Sequence, residues 1–511
     1  MHCIQPFSLF KMNETRIDRA DPHDEVHTMT AQAPRPFPQL PDKIEKIHII
    51  GVCGTAMGSL AAMLKERGYT VRGSDAMAYP PMSTWLEDRG VEIMMGYAKS
   101  NLDWEPDLVI VGNVVRATYE DAVAMRERDI PHMSLPEALR HFFMEGKRRL
   151  VVTGTHGKTT TTSMLAWLLM HADADPGFMV GGITGNTGSN FRLSDGEVFV
   201  IEGDEYDTAY FDKVPKFWHY DPFRATINNL EFDHADIYPD VEAIEDVFRK
   251  LVAMIPEEGS LWVNGDDARV LEVSSACKAP RKTFGLGEQN DLRAVNISYG
   301  EVTRAEVLHH EESLGVFELP ALGEFNLRNM LGALGMALDE GLDVDTCREG
   351  FKQFKRVKKR QEWIGEVEDI VIFDDFAHHP TAVGVTVSAM RERYPDRRIW
   401  AIFEAKSNTS RRKVFQEDYP GAFEGADEVI LSKPWKKDTL PEDQLLNIDQ
   451  LRDDIAALGP NTVLMPDVDE IVKHVAKEAK PGDVILGLSG SSFGGLHGKI
   501  LDALKERFGK E

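Results

Sequence analysis

Cysteine is scarce in this chain: there are four in 511 residues, Cys3, Cys53, Cys277 and Cys347, far apart and with no CxxC pair. That excludes a disulfide framework and a thiolate metal site. No apolar run approaches the about 18 residues that cross a bilayer, and the N-terminus lacks the positive, apolar, small-residue order of a secretory signal. The expectation is a cytoplasmic protein with no membrane insertion. Basic side chains are also in deficit, 58 Lys and Arg against 84 Asp and Glu, a net charge of −26. Such a surface repels a polyanion unless a basic face is segregated, and none is visible, so a general nucleic-acid binder is excluded. Also missing are a GxGxxG turn, a strict GxxxxGKS/T loop, HExxH spacing and any short internal repeat.

What is present is enough for several cores. With 42% hydrophobic residues and about 100–200 residues per domain, the length fits about three domains. Residues 1–45 show no apolar period, and Pro34, Pro36, Pro38 and Pro41 give them the character of an extended, poorly ordered leader. From Ile47 a β run (IHIIG), a glycine turn, a helix over Met57–Arg67 and the strand YTVRGSD open a parallel α/β domain, which DLVIVG continues. A second α/β domain starts at RRLVVTGTHGKTTTT, continues through EVFVIEG and ATINNL, and closes with the helical Leu327–Gly341. The basic stretch Phe351–Arg360 reads as a junction. Beyond it DIVIFDDF, RRIWAIFEA, EVILSKP and DVILGLSG are four strands of a third α/β domain.

The sharpest local signal is Gly154-Thr155-His156-Gly157-Lys158-Thr159-Thr160, set between a strand and a helix. Backbone N–H groups of such a turn and the helix dipole cradle polyphosphate, the Lys offsets β/γ oxygens and the Thr159 hydroxyl reaches Mg²⁺. A metal-bound triphosphate needs a hard oxygen ligand nearby, and the acidic group Glu202, Asp204, Glu205 and Asp207 follows the next strand. Glu202 is the candidate metal ligand. Asn228, Asn229, Glu231, Asp233, His234 and Asp236 crowd the end of a further strand; His234 is either a ligand of a second Mg²⁺ or a structural hydrogen-bonder. The earlier turn, Gly51-Val52-Cys53-Gly54-Thr55-Ala56-Met57-Gly58, has GxxGxxxG spacing. It suits a diphosphate or serves as a packing turn, and Asp75 ends the strand where a dinucleotide-binding fold carries its ribose-binding carboxylate.

In this order, GVCGTAMG, TGTHGKTTT, IEGDEYD, NNLEFDHADIY, GEFNLRNML, VKKRQEW and DDFAHHPT resemble the Mur ligases, ATP-dependent amide ligases of cell-wall synthesis. The resemblance spans residue 46 to the C-terminus. It implies a Rossmann-like UDP-sugar domain (46–146), a central P-loop ATPase domain with a mainly parallel sheet (147–356) and a Rossmann-like domain that brings the amine and closes on the nucleotide (357–511). It further implies that Lys158, Glu202, His234 and Arg360 are catalytic, that Thr159, Glu202 and His234 serve Mg²⁺, and that Asn326 lies beside adenine and Asp375 beside ribose. Gly51, Gly54, Thr55, Met57, Gly58 and Asp75 fall to the UDP-sugar. YPPMS, DEYDTAYFDK and SNT point, within the family, to joining UDP-N-acetylmuramate to the tripeptide L-alanyl-γ-D-glutamyl-meso-diaminopimelate in peptidoglycan recycling.

That acidic peptide needs cations, and Lys406, Ser407, Asn408, Arg411 and Arg412 form a suitable group, or else a solvated helix start. His378 and His379 make either a structural turn or a nucleotide contact. Several family members carry a carbamylated Lys ligand, and Lys250 lies in that neighbourhood, but it is not assigned here. Three readings stay open beside this one: the same reaction with free L-alanine, a nucleotide switch using only the phosphate loop, and a nicotinamide-dependent enzyme using the first glycine turn. Diaminopimelate or Lys as the peptide's third residue is also open.

Overall fold

Short runs buried along their whole length, such as Leu108–Val111 and Leu150–Thr153, become interior strands of parallel sheets covered on both faces. The computed structural model, which describes residues 33–433 and 440–509, contains three such sheets.

The first sheet holds β1 (Lys46–Ile50), β2 (Thr70–Asp75), β3 (Glu92–Met95), β4 (Leu108–Val111) and β5 (His132–Ser134), all parallel in the order β3-β2-β1-β4-β5. This order reverses beside β1, so the turn Gly51–Gly54 sits at the crevice where such sheets bind ligands. The helix behind it begins at Thr55, two residues before the expected Met57.

The central sheet has ten strands. They are β6 (Arg148–Thr153), β7 (Gly177–Met179), β8 (Phe191–Arg192), β9 (Val198–Glu202), β12 (Arg224–Ile227), β13 (Ser260–Asn264), β14 (Arg281–Gly285), β15 (Leu292–Ser298), β16 (Thr303–His309) and β17 (Glu312–Leu319). A separate hairpin, β10 (Asp207–Ala209) and β11 (Asp212–Pro215), lies beside it. β6 pairs in parallel with β9 on one side and β12 on the other, which sets the ends of three strands around the phosphate loop. β15 to β17 extend the sheet as an antiparallel meander. The helix expected over Leu327–Gly341 runs Glu324–Asp339 and packs on the phosphate-loop helix Lys158–His171. It does not end the domain, because the helix Val344–Lys352 follows.

The third sheet has the order β18 (Glu362–Val367), β19 (Ile370–Asp375), β23 (Val484–Ser489), β20 (Ile399–Glu404), β21 (Glu428–Ser432), β22 (Asn461–Met465), with only β18 antiparallel. The three domains are therefore all α/β, the outer two Rossmann-like. The chain entering the third domain presses on the central one: a Cβ on Gly182 would meet Val357 Cγ1 at 2.7 Å, and one on Gly185 the Arg356 carbonyl oxygen at 2.5 Å.

The leader differs in its second part from the poorly ordered segment expected over 1–45. Residues 33–45 run along the first domain, where the Arg35 guanidinium donates to both oxygens of Glu137 at 2.9 Å. Residues 1–32 lie outside the described residues. No described helix is long and apolar enough to cross a membrane.

Candidate active site

A cleft of about 1580 Å³ runs between the domains, lined by Thr55 and Met82 of the first, the phosphate loop of the second, and Arg360 and Asp375 of the third. The phosphate loop follows β6 and ends in a left-handed Gly157 (φ 82°) that caps the helix Lys158–His171. Gly154 is also at positive φ (122°), and a Cβ there would lie 3.0 Å from the backbone of Asn228 and Asn229. A Cβ on Gly157 would collide with Asn329 Oδ1 at 2.2 Å. Both glycines are thus required by the strand and helix packed against the loop. The loop is pinned further by the His156 N–H, which donates to Asn229 Oδ1 at 2.7 Å.

Lys158 Nζ donates to both Glu205 oxygens (2.8 and 3.1 Å) and to the Gly154 carbonyl (2.6 Å). Burial disfavours its charge, but Glu205 and Asp204 outweigh burial and hold the ammonium above its ordinary pKa. Glu205 also meets His234 Nε2 at 3.2 Å. Burial works against the imidazolium there as well, yet the Glu205 hydrogen bond and the Asp233 charge raise His234 to about 9. A metal-ligand role there requires the neutral imidazole.

Glu202, the last residue of β9, accepts from the Thr159 hydroxyl at 3.0 Å and from the Gly181 N–H. Burial and the neighbouring Asp204 charge push its pKa up. A half-buried carboxylate beside a hydroxyl is a hard-oxygen donor set suited to Mg²⁺.

The third domain reaches into the same place. Arg360 Nη2 donates to Thr159 Oγ1 at 3.4 Å. Asp375, at the end of β19, accepts from the N–H groups of Gln361 (2.7 Å) and Ala377 (2.8 Å). Asn326, at the start of its helix, is buried, donates to the Leu322 carbonyl at 2.8 Å and accepts from Asn329 at 3.2 Å. Thr155, His156, Thr159, Thr160 and Asn326 all line the cleft.

Family profiles match along most of the chain: Mur ligase family, catalytic domain over residues 46–146, Mur ligase middle domain over 152–337, and Mur ligase, glutamate ligase domain over 359–491. The chain is 38% identical over 468 residues to the UDP-N-acetylmuramate–L-alanyl-γ-D-glutamyl-meso-2,6-diaminoheptandioate ligase of Escherichia coli, covering 90% of this chain and 99% of that one. It belongs to the Mur ligase family. A UDP-N-acetylmuramate–L-alanine ligase of Clostridium novyi is 32% identical, covering 88% of this chain and 96% of that one. Among solved structures, a murein peptide ligase of Psychrobacter arcticus superposes with a TM-score of 0.69 at 34% identity, covering 90% of this chain and 99% of that one.

The remaining expected positions of this Mur ligase are spread more widely. Asp75 accepts from the N–H groups of Cys53 (2.9 Å) and Met77 (3.2 Å), so its carboxylate braces the first glycine turn. Gly51 takes φ 82°, Gly54 caps the helix Thr55–Glu66, and a Cβ on Gly58 would meet Met82 Sδ at 2.8 Å. The Met57 side chain is buried in the first core, which leaves its backbone for any ligand contact. Lys406 to Arg412 form a turn after β20 that leads into a short 3-10 helix, Lys413–Phe415. There Ser407 pairs with Ser410 (2.8 Å), Arg411 donates to Asn408 (3.1 Å), and Asn408 donates across the domain boundary to Asp236 (3.0 Å).

His378 bonds the Phe376 carbonyl (2.9 Å). His379 accepts the Thr381 N–H (3.3 Å) as a helix cap, while its other nitrogen meets the Phe232 carbonyl (3.1 Å). The His378 bond is a turn contact, whereas His379 also reaches the central domain, and both residues line the cleft. Lys250 sets its ammonium 4.8 Å from the Trp218 ring centroid.

Sequence reasoning did not single out Asn329 or Lys216. Asn329 lies three residues after Asn326, one helical turn on, which is the signal that could have found it. Lys216 reaches Asp204 and the Tyr206 hydroxyl, both at 3.0 Å, from a segment after β11 that carries no motif.

Proposed function

We propose that this Mur ligase joins the carboxylate of UDP-N-acetylmuramate to the α-amine of L-alanyl-γ-D-glutamyl-meso-diaminopimelate, at the expense of ATP, in cytoplasmic peptidoglycan recycling. The observation that carries the substrate choice is identity: 38% to the tripeptide ligase against 32% to an L-alanine ligase, each along almost the full chain. The convergence of Lys158, Glu202 and Arg360 from two domains supports the chemistry.

A carboxylate does not acylate an amine at neutral pH, because its leaving group would be hydroxide. In the proposed reaction the lactyl carboxylate attacks the γ-phosphorus, ADP departs and an acyl phosphate forms. The amine then attacks the acyl carbon, phosphate leaves and one proton is released. Two anions meet in the first step, so Lys158, Arg360 and the loop N–H groups serve to offset their repulsion and hold them in line. Lys158 is already oriented by Glu205 and the Gly154 carbonyl, and exchange of these partners for phosphate oxygens would give it its catalytic contacts.

Glu202 and the Thr159 hydroxyl would hold Mg²⁺, with His234, once deprotonated, serving a second ion. When bound, Mg²⁺ neutralises charge on the transferring phosphoryl group. Asn326 and Asp375 serve the adenine and ribose sides, and the turn Gly51–Gly58 with Asp75 serves the UDP-sugar. Lys406, Ser407, Asn408 and Arg411 flank the peptide.

The test is phosphate release with each substrate omitted in turn, for the wild type and Lys158→Ala. Release should need ATP, UDP-N-acetylmuramate and the tripeptide together, and Lys158→Ala should abolish it while UDP-sugar binding stays within about threefold of wild type, about 0.65 kcal/mol. Hydrolysis that ignores the UDP-sugar would favour a nucleotide switch and overturn the proposal.

A further inference from the structure

Glu404 ends β20 and pairs in register with Ser489, the last residue of β23. This is the carboxyl edge of the third sheet, where open α/β sheets bind ligands. One carboxylate oxygen, Oε2, accepts from the hydroxyls of Ser489 and Ser491, both at 2.7 Å. Two such donors fix the orientation of the group. The other oxygen, Oε1, faces Lys406 Nζ at 3.7 Å, too far for a hydrogen bond. The Glu404 side chain is 13% exposed and that of Lys406 48%, so a nearly buried anion stands beside a half-exposed cation on a flexible stem.

The pair stands one residue behind the wall of the cleft, joined to it through Ser491, which bonds Glu404. Gly490, Ser491 and Ser492 line it together with Lys158, Glu202 and Arg360. Lys359 fixes that wall by donating to the Ser491 carbonyl at 2.7 Å. On the opposite flank, Asn408 bonds Asp236, two residues from His234.

We infer that Glu404 and Lys406 form a receptor for a zwitterionic amino-acid terminus, Glu404 Oε1 taking the ammonium and Lys406 the carboxylate. The inference rests on the tripeptide reading and deepens it. The distal end of diaminopimelate carries an ammonium and a carboxylate on one carbon. A lysine side chain offers only the ammonium, and free L-alanine has no second zwitterion once its amine is the nucleophile. The receptor thus selects diaminopimelate as the third residue.

The experiment measures kcat/KM for the diaminopimelate tripeptide and its lysine counterpart with wild type, Glu404→Gln, Glu404→Asp and Lys406→Met. Wild type should prefer diaminopimelate by at least about tenfold. Glu404→Gln should raise the tripeptide KM by about 10- to 100-fold, as expected for one charge-assisted hydrogen bond. Its KM values for ATP and UDP-N-acetylmuramate should stay within about twofold, a split that a general loss of structure would not give. Glu404→Asp should recover part of the loss, and Lys406→Met should bring the diaminopimelate tripeptide down to the level of the lysine one. Tripeptide turnover that none of these variants changes, or a wild type indifferent to the distal carboxylate, overturns the inference alone. Preference for free L-alanine overturns the substrate reading and the inference with it.

Discussion

Arg360 Nη2 lies 3.4 Å from Thr159 Oγ1, so a side chain of the third domain touches the first turn of the phosphate-loop helix. Arg360 is half-buried, and desolvation lowers its pKa against the raising effect of Asp375 and Glu202. In the proposed reaction this guanidinium, close to the charges of two carboxylates and bonded to one hydroxyl, turns to phosphate oxygens and so would link domain closure to nucleotide binding.

Arg360→Ala should therefore reduce kcat by about 100-fold or more, the scale of losing one preorganised charge contact to a transition state. The variant should also show a smaller contraction by X-ray scattering than wild type when an ATP analogue and UDP-N-acetylmuramate are added. Identical scattering changes in the two proteins would separate Arg360 from closure.

Glu205 is the hub between Lys158 and His234. Both members of the Lys158–Glu205 pair are largely buried, with side chains 12% and 3% exposed. Removing one partner of such a pair leaves the other charge uncompensated, at a cost of about 3 kcal/mol. Glu205→Gln should accordingly lower Tm without nucleotide, and ATP should raise the Tm of the variant more than that of wild type, because phosphate replaces the missing partner of Lys158. Equal nucleotide-induced shifts in both proteins would show that Glu205 does not balance Lys158.

These contacts were only partly legible in the sequence. GTHGKTT declares a phosphate loop because glycine, lysine and threonine sit at fixed spacing between a strand and a helix, and IEGDEYD places Glu202 at a strand end. Which acid pairs with which cation was not legible. Glu202 ends β9 and Glu205 follows three residues on, yet one meets Thr159 and the other Lys158, a choice made by where β9 stops. The strands buried on both faces, such as β1, β4, β6 and β19, stood out as apolar runs. The short β3 and β5 and the half-exposed β18 and β22 did not, because their burial is incomplete or their length gives no period. The basic group Lys406–Arg412 allows either a peptide-binding group or a helix start; Ser407 and Ser410 bond each other to close a turn there, and a single turn of 3-10 helix follows only at Lys413–Phe415.

His379 gives a pH dependence with a defined sign. Burial and the nearby His156 lower it to about 4 from 6.5 in the unfolded chain. The folded state binds this proton less readily, so stability present above pH 6.5 is lost as pH falls through about 4, up to roughly 3 kcal/mol. Protonation also removes the acceptor that caps the helix Pro380–Arg393. Urea unfolding between pH 7 and 4.5 should show a shallower loss for His379→Asn, which keeps a capping oxygen but does not titrate. Parallel curves for variant and wild type would contradict this role.

In the proposed reaction a tripeptide, not a free amino acid, is the amine acceptor. The most direct test is kcat/KM for L-alanyl-γ-D-glutamyl-meso-diaminopimelate against L-alanine, with ATP, Mg²⁺ and UDP-N-acetylmuramate saturating and phosphate release as the readout. The account predicts a tripeptide value at least about tenfold higher, equivalent to 1.4 kcal/mol of transition-state preference. Equal or faster turnover with L-alanine would contradict it.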